Sequence, residues 1–298
     1  MLETAASNIR IVLVEPAGPL NVGSVARVMK NMGLHQLILV NPQCDYLGEE
    51  ARLMAVRAAD ILSTAKVVES LPAALVGCVR AIATTGDDAR SHPMQLEAPA
   101  DALPWLLEAP SALIFGREDC GLTNAELNRA QRLIRIPSSD AYTSLNLAQA
   151  VAICCYELYR DEGSATDSVA DLTDRSSATS TVQDVTDVTD NLSEKSQVDR
   201  PIPQSPTHLL TSAPLENLEG YYQQLETLLL KIGYLQPHTA ASRMEKFRRL
   251  YNRAYPTVDE VAMLRGVIRQ TDWAIKSYAR SPVSDTLDGA LPENPTDS

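Results

Sequence analysis

Three short segments in the first half of the chain place polar side chains beside glycine or proline directly after apolar runs. They cover residues 21–27, 115–122 and 136–146. Arginine and asparagine side chains can bind a phosphate or orient a hydroxyl group, and glycine lets the backbone come close to a ligand. These residue types predict a ligand-binding site built from loops at strand ends.

The first segment follows an apolar run and opens a helical pattern, as a phosphate-binding loop does. Gly18 and Gly23 have the spacing of Gly-x-x-x-x-Gly, but Ser24 and Val25 stand where a nucleoside triphosphatase needs Lys followed by Ser or Thr. The sequence also contains no Gly-x-Gly-x-x-Gly fingerprint with a suitable acidic residue downstream, which disfavours an ordinary dinucleotide-binding domain. What remains is Asn21 and Arg27, a pair that alone fits a helix cap and a surface ion pair as well as a catalytic site.

The other two segments also allow a structural and a functional interpretation. Glu118 lies between Gly116 and Gly121, where it could organise a pocket or simply be a solvent-exposed loop acid. Ser144 and Asn146 precede a long helical pattern that begins at residue 147, so both could be helix caps.

Five short apolar runs that alternate with helical patterns must position these segments. They cover residues 9–14, 37–40, 79–84, 112–115 and 133–136. Strands and helices that alternate in this way are typical of a mostly parallel sheet covered by helices on both faces. The sequence therefore predicts an α/β domain over residues 1–160, which ends with a helix over 147–160.

The acidic charge of the chain is unevenly distributed. The 298 residues are 45% apolar and carry a net charge of −12. Residues 161–200 hold ten acidic and three basic side chains, and residues 281–298 hold four acidic and no basic ones. Because residues 161–214 lack aromatic residues and a sustained apolar face, we expect a disordered linker there and a disordered tail over 281–298.

Helical periodicity returns over residues 215–280. Within this region, residues 231–280 hold ten basic and four acidic side chains. The pattern predicts three helices, beginning near Leu215, near Ser242 with a capping box to Glu245, and near Thr257. The second helix carries five basic residues that could contact RNA or simply form a solvated face: Arg243, Lys246, Arg248, Arg249 and Arg253.

Several other classes of protein are disfavoured. The five cysteines and four histidines have no spacing typical of a metal site, so we expect no metal and reduced thiols in a cytosolic protein. The first residues do not resemble a signal peptide, and no run approaches about 18 apolar residues, so we expect no membrane span.

The patterns Asn-x-Gly-x-x-x-Arg, Phe-Gly-x-Glu-x-x-Gly-Leu and Ile-Pro followed by Ser-Leu-Asn together resemble the three motifs of the SpoU branch of the SPOUT RNA methyltransferases. The closest resemblance is to the TrmJ-type tRNA 2'-O-methyltransferases, which also carry a small helical C-terminal extension. The resemblance implies a trefoil-knotted, parallel-sheet SPOUT domain, followed by the linker and a helical domain over 215–280. It also implies a cytoplasmic homodimer that methylates nucleotide 32, a cytidine or uridine, in the anticodon loop of tRNA.

The resemblance also implies roles for individual residues. Arg27 would lie at the ribose and help to activate its 2'-hydroxyl group, within a catalytic set of Asn21, Arg27, Glu118, Ser144 and Asn146. S-adenosylmethionine would be the methyl donor, and no metal would be needed. The donor would lie against Thr84, Thr85, Gly86, Gly116, Ile136, Ser144, Leu145 and Asn146.

Two other functions remain open from the sequence. A related methyltransferase could modify ribosomal RNA or another tRNA ribose with the same pocket and a different RNA-docking module. A non-catalytic RNA-binding protein could have kept the fold, although a protein that only binds RNA does not need the five catalytic-set residues together.

Overall fold

The computed structural model of the chain describes residues 5–86, 95–139, 143–174 and 212–280. It contains a parallel sheet of seven strands in the order β3-β2-β1-β6-β4-β7-β5. The strands are β1 (Ile9–Val14), β2 (Gln36–Val40), β3 (Lys66–Val68), β4 (Arg80–Thr84), β5 (Leu96–Glu97), β6 (Ser111–Phe115) and β7 (Arg132–Ile134). The predicted α/β fold class is therefore confirmed, and the short strands β3 and β5 are additions to the five predicted ones.

Seven helices belong to the described part of the sheet domain, and three more form a helical module. The first group is α1 (Pro19–Asn31), α2 (Glu49–Ala55), α3 (Ala59–Thr64), α4 (Leu71–Ala74), α5 (Pro99–Ala102), α6 (Asn124–Leu127) and α7 (Leu147–Asp174). The module is α8 (Leu215–Lys231), α9 (Ala240–Ala254) and α10 (Val258–Arg280). No helix within the described ranges is long and apolar enough to cross a membrane.

Alternating apolar residues of the strands build a core on each face of the sheet. In β1, Ile11 and Leu13 are fully buried in one apolar cluster, and Val12 belongs to the other. Side chains along a strand point alternately to the two faces, so these two clusters cover opposite faces. The first cluster contains residues of α1 and α7, and the second continues into α8 and α9.

Local sequence signals explain most helix ends. Pro19 occupies the first turn of α1, and Gly33, at φ +72°, follows its last turn. The capping box of Thr123 and Glu126 starts α6, as predicted. Thr257 and Glu260 likewise exchange hydrogen bonds at the start of α10.

Two predicted boundaries differ from the structure. The predicted capping box at Ser242 is wrong, since α9 already begins at Ala240 and Ser242 is an exposed residue inside its first turn. Helix α7 continues to Asp174, fourteen residues beyond the predicted end at Arg160. The rest of the predicted linker up to residue 211, and the tail from 281, lie outside the described residues.

The helical module packs against turns of the sheet domain that lie just before strands β4 and β7. Asn252 donates hydrogen bonds to the backbone oxygens of Asn128 and Ala130, at 3.2 and 3.4 Å, just before β7. The backbone N–H of Gly77, just before β4, donates to Glu216 at 2.6 Å. The module is therefore docked at the amino-terminal edge of the sheet.

Candidate functional site

A cavity of about 420 Å³ opens at the carboxyl ends of the neighbouring strands β6, β4 and β7. Loops that follow parallel strands meet at one edge of a sheet, which is where open α/β sheets bind ligands. Seven of the eight predicted cofactor-binding residues line this cavity: Thr84, Thr85, Gly86, Gly116, Ile136, Ser144 and Leu145. Asn146, the eighth, lies directly beside it in the chain.

Gly116 has a steric requirement that explains its place in the pattern. A Cβ atom there would lie 2.3 Å from the carbonyl carbon of Gly121 and 2.4 Å from the backbone nitrogen of Leu122. Only glycine allows the loop to fold back this closely against the end of β6. The return of the loop brings Gly121 and Leu122 to the wall of the cavity.

The carboxylate of Glu118 connects the second predicted segment to the first. It accepts hydrogen bonds from the backbone N–H groups of Ala17 and Gly18, both at 3.1 Å, and from Asn21 Nδ2 at 3.0 Å. Partial burial acts to raise the pKa of Glu118, but these hydrogen bonds outweigh it, so the pKa lies below its usual range. Glu118 is therefore an ionised acceptor that fixes the start of α1, and the interpretation as an unattached loop acid is wrong.

Asn146 connects the third segment to the same network. Its Nδ2 donates to Asn21 Oδ1 at 3.0 Å, and its Oδ1 accepts from the backbone N–H of Ala148 at 2.9 Å. Asn146 is thus a helix cap for α7 and, at the same time, a member of the site. This hydrogen-bonded chain of side chains, Glu118–Asn21–Asn146, links Asn21 to two residues that lie about a hundred positions later in the sequence.

Arg27 differs from the other members of the predicted catalytic set. It is exposed on α1, does not line the cavity, and makes no hydrogen bond or ion pair to any described residue. Asn21, six residues earlier on the same helix, is held by Glu118 and Asn146. The structure therefore fixes the helix that carries Arg27 and leaves its guanidinium group available for a ligand.

An ion-pair cluster that the sequence did not predict lies beside the cavity. Arg117 contacts Asp119 through two hydrogen bonds, at 2.9 and 3.0 Å, and Glu15 at 3.1 Å. The guanidinium group lowers the pKa of Asp119 to about 2, while hydrogen bonds from Asn41 and Arg117 lower the pKa of Glu15. The one available signal was the Arg-Glu-Asp run within the second segment, and nothing in the sequence pointed to Glu15 as its partner.

The five basic residues predicted to contact RNA fall into two groups. Arg243, Lys246 and Arg253 are exposed on α9, and Arg249 is half-buried. Arg248, however, makes two hydrogen bonds to Glu219, at 2.5 and 2.9 Å, and its Cζ lies 4.6 Å from the ring centre of Tyr222. We correct the prediction for Arg248, because its guanidinium group is already engaged in packing α9 on α8.

A metal centre is not formed by the part of the chain that the structure describes. No group of three or more His, Cys, Asp or Glu side chains there is arranged to hold an ion. The described cysteines are free thiols, and Cys120 lies in the cavity wall. A hydrogen bond to Asp119 raises the pKa of the Cys120 thiol.

Models of two known protein families match the sheet domain and the helical module of the chain. The model of the SpoU rRNA Methylase family matches residues 8–156, which contain the cavity and all three segments. The model described as tRNA methyltransferase TrmJ, C-terminal domain, matches residues 216–281, which contain the helical module.

Individual relatives match over nearly their full length. The tRNA (cytidine/uridine/adenosine-2'-O-)-methyltransferase TrmJ of Pseudomonas aeruginosa is 37% identical over 280 residues, which cover 92% of this chain and 98% of the relative. The tRNA (cytidine/uridine-2'-O-)-methyltransferase TrmJ of Pectobacterium atrosepticum is 36% identical over 266 residues, covering 88% and 95%.

A solved structure gives the same assignment. The crystal structure of TrmJ from Z. mobilis superposes with a TM-score of 0.67 at 27% identity, covering 88% of this chain and 98% of that one. The chain belongs to the SpoU methylase family and, within it, to the TrmJ-type enzymes.

Proposed function

We propose that the protein methylates the 2'-hydroxyl group of nucleotide 32, a cytidine or uridine, in the anticodon loop of tRNA. Membership of the family makes it an RNA 2'-O-methyltransferase that uses S-adenosylmethionine. The proposal rests mainly on one observation, the hydrogen-bonded chain Glu118–Asn21–Asn146, which joins the cavity to the helix that carries Arg27. The TrmJ-type helical module supports tRNA as the substrate, and a tRNA substrate places the enzyme in the cytoplasm.

The cavity fits a methyl donor of this kind. Its volume lies within the range of about 300–1,000 Å³ that is usual for small-molecule sites, and its lining combines apolar side chains with hydroxyl and backbone groups. Thr84, Gly86, Gly116 and Leu145 would hold the donor. When bound, S-adenosylmethionine supplies an electrophilic methyl group on a sulfonium centre.

The residues around the cavity would act by positioning rather than by strong base catalysis. An arginine side chain is a cation that donates hydrogen bonds and accepts none, so it is poorly suited to act as a general base. Arg27 would therefore hold a substrate phosphate and orient the ribose hydroxyl group. Asn21 and Asn146 would fix the direction of α1 through their hydrogen bond, and Ser144 would form part of the cavity wall beside the ribose. Alignment of this kind supplies much of the rate enhancement when one reactant is already activated.

We also propose that the protein is a homodimer that covers an exposed apolar face. Ile153, Tyr156 and Tyr159 recur at helical spacing on α7 and are 36%, 51% and 54% exposed. Helix α1, which packs beside α7, exposes Leu20 to 50%. Clusters of exposed apolar side chains usually mark an interface.

The activity is tested by incubating the full chain with S-adenosylmethionine and unmodified tRNA and mapping ribose methylation by mass spectrometry. A 2'-O-methyl group at nucleotide 32 is expected. Methylation at another tRNA position or on ribosomal RNA would redirect the proposal to a related substrate, and RNA binding without any methylation would identify a non-catalytic binder.

Arg27→Ala tests the catalytic role within the same assay. Because Arg27 is exposed and makes no hydrogen bond or ion pair to a described residue, we expect an unfolding free energy within about 0.5 kcal/mol of wild type. Methylation should be lost while binding of the donor is kept. Methylation at the wild-type rate would remove Arg27 from the mechanism.

The dimer is tested by light scattering after gel filtration of Tyr156→Arg and Tyr159→Arg. Both variants should have half the mass of the wild type. Met263→Arg, an equally drastic change at a 63% exposed residue of α10, is the control and should leave the mass unchanged. A dimeric Tyr156→Arg/Tyr159→Arg variant would place the interface elsewhere.

A further inference from the structure

The helical module has a docked end and a free end. Ser212 pairs with Thr257, so the starts of α8 and α10 lie together at the sheet domain, where Glu216 and Asn252 also make their contacts. At about 1.5 Å per residue, the 17 residues of α8 place its last turn roughly 25 Å from that end. Lys231, in this last turn, forms an ion pair with Asp272 of α10, and the start of α9 follows shortly after. These segments form the free end.

Two strongly exposed aromatic residues lie at the free end. Tyr234 is 55% exposed and follows Gly233, whose φ of +75° ends α8. Trp273, next to Asp272, is 62% exposed. Tyr234 contacts Phe247 of α9, with ring centres 6.4 Å apart, but more than half of the tyrosine stays exposed. The other ring contacts within the three helices join Tyr221, Tyr222 and Tyr251, so packing of the module leaves most of Tyr234 and Trp273 uncovered.

Basic side chains surround these rings. Arg243 donates a hydrogen bond to the backbone oxygen of Tyr234 at 3.2 Å, and its Cζ lies 6.0 Å from the centre of the Tyr234 ring. Lys231 and Lys276 flank Asp272 on either side, and Lys246 is exposed one turn beyond Arg243 on α9. Four cations therefore belong to the same end of the module as the two rings, and two of them, Lys231 and Lys276, form ion pairs with Asp272.

This combination favours RNA over a protein as the occupant. Lysine is depleted in protein–protein interfaces, whereas three of these four cations are lysines. Proteins that hold unpaired nucleotides combine a positively charged surface with aromatic rings on which bases stack. The adjacent arginine would pair with the phosphate that follows a stacked base.

We propose that Tyr234 and Trp273 form a stacking surface for unpaired nucleotides of the substrate RNA at the free end of the helical module. This proposal rests on the proposed function. The module is docked at the amino-terminal edge of the sheet and the cavity opens at the carboxyl edge, so the stacked nucleotides are not the nucleotide that is methylated within the same subunit. The surface therefore contributes to RNA affinity and not to the chemical step.

The experiment compares full-length wild type with Tyr234→Ala, Trp273→Ala and the double variant. Base stacking on one ring accounts for about a tenfold change in affinity by alanine substitution. We expect each single variant to raise the Kd and KM for tRNA by about that factor, with kcat and S-adenosylmethionine affinity unchanged. Tyr234→Phe keeps the ring and should bind as wild type does, and Met263→Ala, an exposed apolar residue near the docked end of α10, should have no effect.

The outcomes separate this proposal from the function on which it rests. Wild-type methylation of tRNA with unchanged Kd and KM in the double variant would overturn the stacking surface and leave the function intact. A wild type that neither binds nor methylates RNA would overturn both. Loss of self-association in the double variant with unchanged RNA affinity would assign the surface to a second copy of the chain and also overturn the proposal.

Discussion

At the scale of single residues, the site depends on side chains that serve a structural and a chemical purpose together. Asn146 caps α7 and holds Asn21, and Glu118 closes the loop before α1 and forms part of the cavity wall. The capping role of Asn146 therefore does not argue against the functional role that the sequence also allowed, because the same side chain makes both contacts. A short polar side chain at a helix start has enough acceptors and donors for both contacts.

Glu118→Gln should weaken the fold in a pH-dependent way. Glutamine places an NH₂ group where three donors converge on a carboxylate, so we expect the unfolding free energy at pH 7 to fall by about 1–3 kcal/mol. The pKa of Glu118 is lowered in the folded state. Its stabilisation is therefore present above the unfolded pKa of about 4.3 and is lost as the pH falls through the folded value.

Urea unfolding at pH 7 and at successively lower pH measures this effect. The difference between wild type and Glu118→Gln should shrink as the medium becomes acidic. Glu69→Gln, a change at an exposed carboxylate without a partner among the described residues, is the control. A difference that stays constant through this pH range would show that the ionised carboxylate is not what stabilises the loop.

At the scale of elements, the sequence predicted what local signals encode. Apolar runs predicted five of the seven strands, a capping pattern predicted the start of α6 at Thr123, and helical periodicity predicted the start of α8 at Leu215. Strands β3 and β5, of three and two residues, have no periodicity to detect. The false capping box at Ser242 shows the limit of such patterns, because α9 starts earlier through packing of Ala240, which is 5% exposed.

Contacts between elements that are distant in sequence were not predictable in this way. Arg248 belongs to a run of basic residues, and nothing local distinguishes it from Lys246. Arg248 forms an ion pair because the fold places Glu219 of α8 beside it. The partners of Asn252, which are backbone oxygens more than 120 residues away, were equally invisible.

Two glycines that line the cavity, Gly116 after β6 and Gly86 after β4, allow a matched pair of substitutions. Gly116→Ala places a methyl group inside the backbone of Gly121 and Leu122, and such overpacking costs about 1–3 kcal/mol. Gly86 lines the same cavity, but a Cβ there meets no atom within 4 Å. We therefore expect Gly116→Ala to weaken both stability and donor binding, measured by calorimetry, and Gly86→Ala to change stability little. Equal stability losses would refute the steric explanation.

Asn252 should be the main polar contact that docks the helical module. Besides its two bonds to the sheet domain, it accepts from the buried Tyr222 hydroxyl at 2.8 Å. Asn252→Ala leaves these groups without partners, so we expect a loss of about 1–3 kcal/mol in denaturant unfolding of the full chain. Gln270→Ala on the exposed face of α10 should stay within about 0.5 kcal/mol of wild type. A neutral Asn252→Ala would show that apolar packing alone holds the module.

At the scale of the whole molecule, the most basic part of the chain and the cavity lie in different places. Its net charge of −12 would repel RNA if it were evenly spread, but residues 231–280 carry ten basic and four acidic side chains. The cavity and the helical module lie at opposite edges of the sheet, so an RNA that reaches both must extend across the molecule. Under the proposed function, electrostatic attraction would hold the RNA at one edge, and the loops around the cavity would select the ribose at the other.

The salt dependence of tRNA binding tests this division and the correction made for Arg248. Each phosphate contact contributes about 0.7–0.9 to the slope of log K against log salt concentration. Lys246 is exposed and free of partners within the described residues, so Lys246→Ala should reduce the slope by about that amount without affecting stability. Arg248→Ala should instead lower the unfolding free energy, because Glu219 loses its bidentate partner, and should leave the slope near the wild-type value. If Arg248→Ala reduces the slope as Lys246→Ala does, its guanidinium group contacts RNA after all, and α9 must open away from α8 when the tRNA binds.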